Sequence, residues 1–514
     1  MSVLVSPDPL DPADVVAVAR QDAGVRLADT ALAAMAASRA EVERLASSDR
    51  PAYGISTGFG ALATTHIPRE RRADLQRSLV RSHAAGTGPP VEREVVRAMQ
   101  LVRLRTLATG RTGARPVVAE AMAAMLNAGI TPVVPEFGSL GCSGDLAPLA
   151  ACGLALMGEG EVSDRSGRTV AASDALAAAG LLPLELAEKE GLALLNGTDG
   201  MLGMLVLALE DLGRLIVTAD VAAAMSVEAL LGTDRVFADD LQRLRPQVGQ
   251  ARSAANMRNV LAGSPLVASH AGPEDTRVQD AYSLRCAPQV AGACRDTVTH
   301  ARRVAAAELA SAIDNPVVLA DGRVESNGNF HGAPIGYVLD FLAIAAADLA
   351  SICERRTDRM LDPARSHGLP AFLAAEPGVD SAHMIAQYTQ AAMVSECKRL
   401  ASPASVDSIP SSAMQEDHVS MGWSAARKLR RSLDLLGRVI AIEVLTAARA
   451  LELRAPLQSS PAITAVRAAL RTEVPGVGPD RHLAPDIDAA VQLVGSGGVL
   501  AAVAAAGVGL LAAD

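Results

Sequence analysis

The sequence predicts a mainly α protein: an elongated bundle of long helices with a loop-rich N-terminal region. Three observations carry that prediction. Apolar residues recur at helical spacing over long stretches. Alternating β-branched runs are few. Hydrophobic residues make up 50% of the chain but aromatics only 2%, so the core is built from Ala, Leu and Val, small side chains that let helices approach closely.

Taken in order, residues 13–48, 69–85 and 91–109 carry helical periodicity and are separated by polar, glycine-rich loops. The same pattern returns over 201–231, 293–313, 334–356, 379–400 and 421–453, which reads as a helix array. The texture changes near residue 200. We expect 1–200 to carry the functional loops and 201–514 to form the long-helix bundle, the two folding as one cooperative unit. Arg427, Lys428, Arg430 and Arg431 fall inside an apolar period and read as a solvated helix face. The charge-free run between Asp488 and Asp514 is long enough to span a bilayer. It holds Gly495, Gly497, Gly498, Gly507 and Gly509 and has no basic flank, so we expect a buried Ala-rich helix with a glycine break and no membrane association.

The bulk numbers exclude several classes. With 514 residues and 20% charged side chains the chain is globular. A net charge of −10 argues against a nucleic-acid partner. Six cysteines without a CxxC pair are too sparse for a disulfide scaffold. MSVLVSPDPLDPADVV has no basic region and no unbroken apolar stretch, so it does not read as a signal peptide. A cytoplasmic location is the expectation.

Chemistry-bearing residues gather in the loops: PAYGISTGFG (51–60), GSLGCSGDLAP (138–148), ALLNGTDG (193–200), RVQDAYSLR (277–285), AIDNPVV (312–318), ESNGNFHG (325–332) and SSAMQEDHVS (411–420). Tyr53 and Tyr282 are two of only four tyrosines. His331 and His418 lie in these loops, and His83 lies on a helix. The run Gly138-Ser-Leu-Gly-Cys-Ser-Gly144 places exceptional backbone freedom beside Cys142 and Ser143. By itself it reads as a glycine turn capping a helix.

Together these loops resemble the aromatic amino acid ammonia-lyase family, in the family's order and over nearly the whole chain. The Gly-Ser-Leu-Gly-Cys-Ser-Gly-Asp-Leu-Ala-Pro-Leu run is the most specific match. Tyr-Gly-Ile-Ser-Thr-Gly-Phe-Gly, Leu-Leu-Asn-Gly-Thr, Gln-Asp-Ala-Tyr-Ser-Leu-Arg, Asp-Asn-Pro and Gly-Asn-Phe-His support it independently. The resemblance implies that Cys142, Ser143 and Gly144 cyclise on their own backbone and lose water, giving a 4-methylidene-imidazole-5-one (MIO) electrophile with no external cofactor and no metal. The residue types suit that demand: glycine leaves its amide nitrogen unhindered by a Cβ, and the Ser143 hydroxyl is able to leave. Cys142 stands where alanine is usual. Its side chain remains outside the ring, with consequences for packing or oxidation sensitivity. Asp145 and Pro148 sit early in the next helix.

The resemblance also implies roles. Removing ammonia from an α-amino acid requires loss of a weakly acidic β-proton and departure of a poor leaving group, which a covalent electrophile assists. Tyr53 is the favoured base and Tyr282 its assistant, with the reverse assignment open. Arg285 clamps the substrate carboxylate through its planar fork. Asn196 and Gln279 hydrogen-bond the MIO oxygen or that carboxylate. Asn315 and Phe330 shape the pocket, although Asn315-Pro316 also reads as a plain turn and Phe330 as core.

Ser82-His83 and Glu416 resemble the histidine-acting branch of the family. A carboxylate accepts an imidazole N–H and is a poor partner for a phenyl ring. The bland alternatives are a packed histidine and an early-helix charge, and a metal site at Glu416-Asp417-His418 is disfavoured because adjacent helical residues face apart. The expected reaction is L-histidine to trans-urocanate and ammonia, in a homotetramer with shared sites. Tyrosine or phenylalanine elimination, or an aminomutase that returns ammonia to the β-carbon, is the alternative. A non-catalytic helical scaffold is the distant one.

Overall fold

The computed structural model describes residues 2–48, 52–62, 64–272 and 278–513. Pro51 and Arg277, each the first residue of a motif loop, lie outside the described residues. Helices account for 58% of the chain, and the strands are short. The longest helices are Asp199–Ala229, Ala287–Leu309, Ala333–Leu361 and Gly422–Glu452. The last shows why such segments are helical. Leu429, Leu436, Val439 and Ile440 recur at three-, four- and seven-residue steps and are fully buried, while Arg431 and Asp434 on the opposite face are exposed. Helix starts follow local chemistry: Asp11, Ser264 and Ser460 each accept a backbone N–H of the first turn, and proline occupies an early position in all three helices.

The chain forms two compact units, each assembled from three stretches. The first comprises Met1–Leu207, Arg302–Asp340 and Pro403–Arg427. Its helix Arg93–Ala108 is buried from Val95 to its end. Two arginines inside that helix donate to carbonyls: Arg97 to Val18 and Leu126, and Arg105 to Pro7, Asp8, Ala310 and Ser311. Helices Arg72–His83, Leu146–Leu156 and Glu190–Leu195 pack on one another. Strand Thr87–Pro90 pairs antiparallel with Pro135–Phe137. These contacts tie the end of the His83 helix to both flanks of the Cys142-Ser143-Gly144 loop.

The second unit comprises Ala208–Ala301, Phe341–Ser402 and Lys428–Asp514. Here helix Pro461–Leu470 packs against Val248–Leu261 and Gly498–Ala505. All six cysteines are free thiols.

The structure revises several expectations. Residues 13–48 are not one helix. Pro12–Arg20 and Asp29–Ala46 are separated by strand Gly24–Leu27, which pairs in parallel with Ser2–Val5. Asp22 breaks the helix by adopting φ +53°. The short alternation in SVLV and GVRL was the available signal, hidden under the flanking helical periods. The basic cluster is not simply a solvated face. Arg427 is half-buried and pairs with Glu92 and Glu136, and Arg430 pairs with Asp211. At the C-terminus the glycine break is present, with Ala484–Gly495 and Gly498–Ala505 bent by 66°. The second of these helices buries only Val499 and Val503. By length and hydropathy Ala333–Leu361 is long and apolar enough to cross a membrane, as is the bent pair taken as one span; the Ala333–Leu361 helix is mostly buried within the protein.

Candidate active site

Within the first unit the glycine-rich loop is held in place by its own backbone. Gly141 (φ +67°) and Gly144 (φ +82°) lie in the left-handed region that disfavours side chains. The Gly141 carbonyl accepts from Ser420 Oγ at 2.7 Å and from Gly332 N at 3.1 Å. Met421 N donates to the Leu140 carbonyl at 2.9 Å. Gly144 forms a bridge to Gly197, where any Cβ on Gly144 would collide with the Gly197 carbonyl. Position 144 therefore accepts glycine alone, the residue type that leaves an amide nitrogen open to attack the Cys142 carbonyl. On this ground the loop fits a backbone-derived ring.

Asp145 stands at the start of helix Leu146–Leu156, as the sequence places it. It does not cap its own helix, Leu146–Leu156. Its carboxyl group accepts from Ser139 Oγ at 2.8 Å and from Gly200 N and Met201 N at 2.9 Å each, so it caps helix Asp199–Ala229 instead. Complete burial pushes its pKa up to about 7 against these hydrogen bonds.

Glu416 closes over the loop. Ser143 Oγ donates to its Oε1 at 3.0 Å and Cys142 Sγ to its Oε2 at 3.1 Å. Ser411 Oγ donates to Oε2 at 3.1 Å, and Ser411 and Glu416 also bond through their backbones. Glu416 lies on no helix, so the reading as an early-helix charge is set aside; the next helix begins at Gly422. Among the described residues no cluster of three metal-ligating side chains occurs. Burial, reinforced by the neighbouring Glu416, pushes the Cys142 thiol up to about 12. It therefore stays protonated near neutrality and resists oxidation.

His83, the last residue of its helix, is half-buried. Its Nδ1 lies 2.9 Å from the Leu79 carbonyl and 3.1 Å from Ser82 Oγ. Burial lowers its pKa, opposed by the Leu79 carbonyl and by Glu416. Tyr53 is half-buried, with its hydroxyl accepting from Gly60 N at 3.1 Å and its ring edge-on to Phe59. Asn196 is buried and donates to the Asn315 carbonyl at 3.1 Å. The Asn315 side chain accepts from Ser326 Oγ and Asn327 N, and the Asn315–Pro316 bond is cis. Phe330 is half-buried, and His331 stacks on His418 with parallel rings 5.6 Å apart.

Sequence reasoning missed the polar frame beneath these loops. Arg103 donates to the carbonyls of Ala193 (3.2 Å), Asn196 (2.8 Å) and Ile313 (3.3 Å) and pairs with Asp199. Lys189 Nζ meets Asp314 Oδ2 at 2.6 Å with both side chains fully buried. Burial lowers the Lys189 pKa and raises those of Asp314 and Asp199. One guanidinium thus fixes the loops that carry Asn196 and Asn315. The available signal was a charge embedded in the apolar run QLVRLRTLA.

Gln279, Tyr282 and Arg285 belong to the second unit. Gln279 and Tyr282 are exposed, Tyr282 by 71%. The Arg285 guanidinium lies over the Tyr282 ring, 4.6 Å from its centre, as a cation–π pair. Arg285 Nε is buried and finds no acceptor among the described residues.

Comparison with known proteins is consistent with this arrangement. The sequence profile of the aromatic amino acid lyase family matches residues 10–472. The histidine ammonia-lyase of Streptomyces avermitilis is 64% identical over 502 residues, covering 98% of each chain. Among solved structures, histidine ammonia-lyase from Trypanosoma cruzi is 37% identical with a TM-score of 0.91, covering 98% of this chain and 96% of that one. A tyrosine aminomutase from Streptomyces globisporus is 39% identical with a TM-score of 0.93, covering 98% of this chain and 99% of that one.

Proposed function

The chain belongs to the aromatic amino acid lyase family, and from that premise we propose that it eliminates ammonia from L-histidine to release trans-urocanate. The observation that carries the substrate assignment is the Glu416 carboxylate poised directly over Ser143, with both oxygens turned toward the reacting loop. A carboxylate there accepts an imidazole N–H, whereas a phenyl ring offers it no hydrogen-bond donor. His83, its pKa lowered by burial, stays neutral near neutral pH and does not repel a protonated substrate imidazole.

In this reading Cys142, Ser143 and Gly144 become an MIO ring with loss of two waters, and no external cofactor or metal is used. When formed, that group supplies an electrophilic alkene carbon that takes up the substrate amine and eases its departure. The protein's own side chains do the rest. Tyr53 removes the β-proton and Tyr282 assists, or the two exchange roles. Arg285, with an unsatisfied Nε, clamps the carboxylate. Asn196 and Gln279 hydrogen-bond the ring oxygen or the substrate carboxylate. Asn315 and Phe330 shape the pocket around the ring. The exposure of Gln279 and Tyr282 supports a homotetramer in which neighbouring chains complete each site, and the free thiols suit a cytoplasmic enzyme.

The test is to offer purified protein L-histidine, L-tyrosine and L-phenylalanine separately and follow the ultraviolet absorbance of each conjugated acrylate. Signal with histidine alone is expected. Because a tyrosine aminomutase shares this fold, the products from tyrosine are also assayed for a β-amino acid. Its appearance, or turnover of tyrosine in preference to histidine, overturns the substrate assignment. Size-exclusion chromatography with light scattering checks the tetramer, and an active monomer rules it out.

A further inference from the structure

We propose that Glu416 acts before any substrate arrives, as the general acid that drives water from Ser143 during maturation of the loop. This rests on the reading that Cys142-Ser143-Gly144 cyclises.

The geometry points to this carboxyl group. Ser143 Oγ, the atom that must leave, lies 3.0 Å from Glu416 Oε1. Oε2 is anchored by two other donors, Cys142 Sγ and Ser411 Oγ, each at 3.1 Å. One oxygen is therefore fixed and the other is turned onto the leaving group. Asp145, adjacent to the triad in sequence, is occupied by Ser139, Gly200 and Met201. Among the described residues Glu416 is the titratable side chain hydrogen-bonded to Ser143 Oγ.

The step balances without oxidant or reductant. In ring closure Gly144 N bonds to the Cys142 carbonyl carbon; the Gly144 N–H and Ser143 N–H bonds break, their protons go to the carbonyl oxygen, and it leaves as the first water as a C=N bond forms between that carbon and Ser143 N. In the second loss the Ser143 Cα–H and Cβ–Oγ bonds break. The C–H electron pair becomes the Cα=Cβ bond. For this step the proton of the 3.0 Å Ser143–Glu416 contact must lie on Oε1, the reverse of the donation from Oγ; Glu416 gives it to Oγ, which departs as neutral water, and the proton released from Cα replaces the one given. Maturation also changes Glu416's surroundings. Oε1 loses its serine partner and is opened for a substrate N–H. Oε2 keeps the Cys142 thiol, because that side chain stays outside the ring.

The experiment reads mass as well as turnover. Wild type, Glu416→Gln and Glu416→Asp are sampled at intervals after a short induction and measured by intact mass spectrometry, with circular dichroism to verify folding. Wild type should be two waters lighter than its encoded mass. Glu416→Gln should accumulate chains that retain the Ser143 hydroxyl, maturing at least about 100-fold more slowly. Glu416→Asp, which keeps the acid but withdraws it, should fall between, and it decides the matter if the glutamine variant fails to fold. Folded variants that mature at the wild-type rate overturn the role of Glu416 and leave cyclisation standing. A wild-type chain at its full encoded mass overturns both.

Discussion

In the first unit the guanidinium of Arg103 is directed at loops: it holds the carbonyls of Ala193, Asn196 and Ile313 and pairs with Asp199. In the second unit Arg295 is equally buried but holds helices and the chain end. It pairs with Asp220 at 2.6 Å, accompanied by Ser253 and the Ala512 carbonyl, while Asn256 bonds both Asp220 and Leu511. The residue type and burial are the same, but the consequences differ. A buried ion pair beneath irregular backbone sets the position of the loops that carry Asn196 and Asn315. One between helices sets stability alone. Removing one partner of either leaves an uncompensated buried charge, so burial by itself does not reveal which role a pair serves.

Four variants break or sharpen this contrast. The largest effect is expected for Ser143→Ala, which removes the leaving hydroxyl without disturbing any buried pair. Turnover should fall roughly 10⁴-fold or more while the denaturation midpoint hardly moves. A variant with appreciable activity would mean that the loop is only a turn.

Next is Arg103→Met. Stability should drop by about 3–5 kcal/mol, and the molecules that remain folded should lose roughly 100-fold in kcat because the Asn196 and Asn315 loops shift. Full activity in the folded fraction would reduce Arg103 to a purely structural group. Arg295→Met is the matched control. It should lose a similar ~3–5 kcal/mol yet keep kcat and KM per folded molecule. Denaturant titration paired with assays on the folded fraction separates the two.

The smallest effect concerns pH. His383 in the second unit is almost fully buried, with Nδ1 3.0 Å from Thr446 Oγ1. Burial, with Arg449, Arg481 and Arg471 nearby, lowers its pKa to about 3. The folded state therefore refuses a proton that the unfolded chain accepts below its ordinary value near 6.5. The stabilisation is present above pH 6.5 and is lost progressively as pH falls toward 3. In His383→Gln that dependence should vanish. The stability difference between wild type and variant should shift against wild type by about 2 kcal/mol between pH 6.5 and 5. A constant difference over that range would show that His383 does not titrate as described.

Much was legible in the residues themselves. Helical periodicity located the long helices, since a residue's face depends on its neighbours three and four positions away. The same locality misled at 13–48, where a short parallel strand pair interrupts two helices and its partner lies outside any helical window. The family resemblance gave one reason for glycine at 144, an unhindered nitrogen for the proposed ring, and the fold adds a second, the close approach of Gly197. The capping partner of Asp145 was not legible, because the N–H groups it accepts belong to a helix more than fifty positions away.

The sequence by itself determined the helices, the flexible turn around Ser143 and the residue types able to react, because each depends on covalent chemistry or on near neighbours. The tertiary structure decided which carboxylate faces Ser143, namely one 273 positions away in Glu416. It also decided which buried guanidinium steadies the loops. Hydrogen bonds of that kind form only when distant segments are brought within about 3 Å of each other, and no local pattern encodes such a meeting.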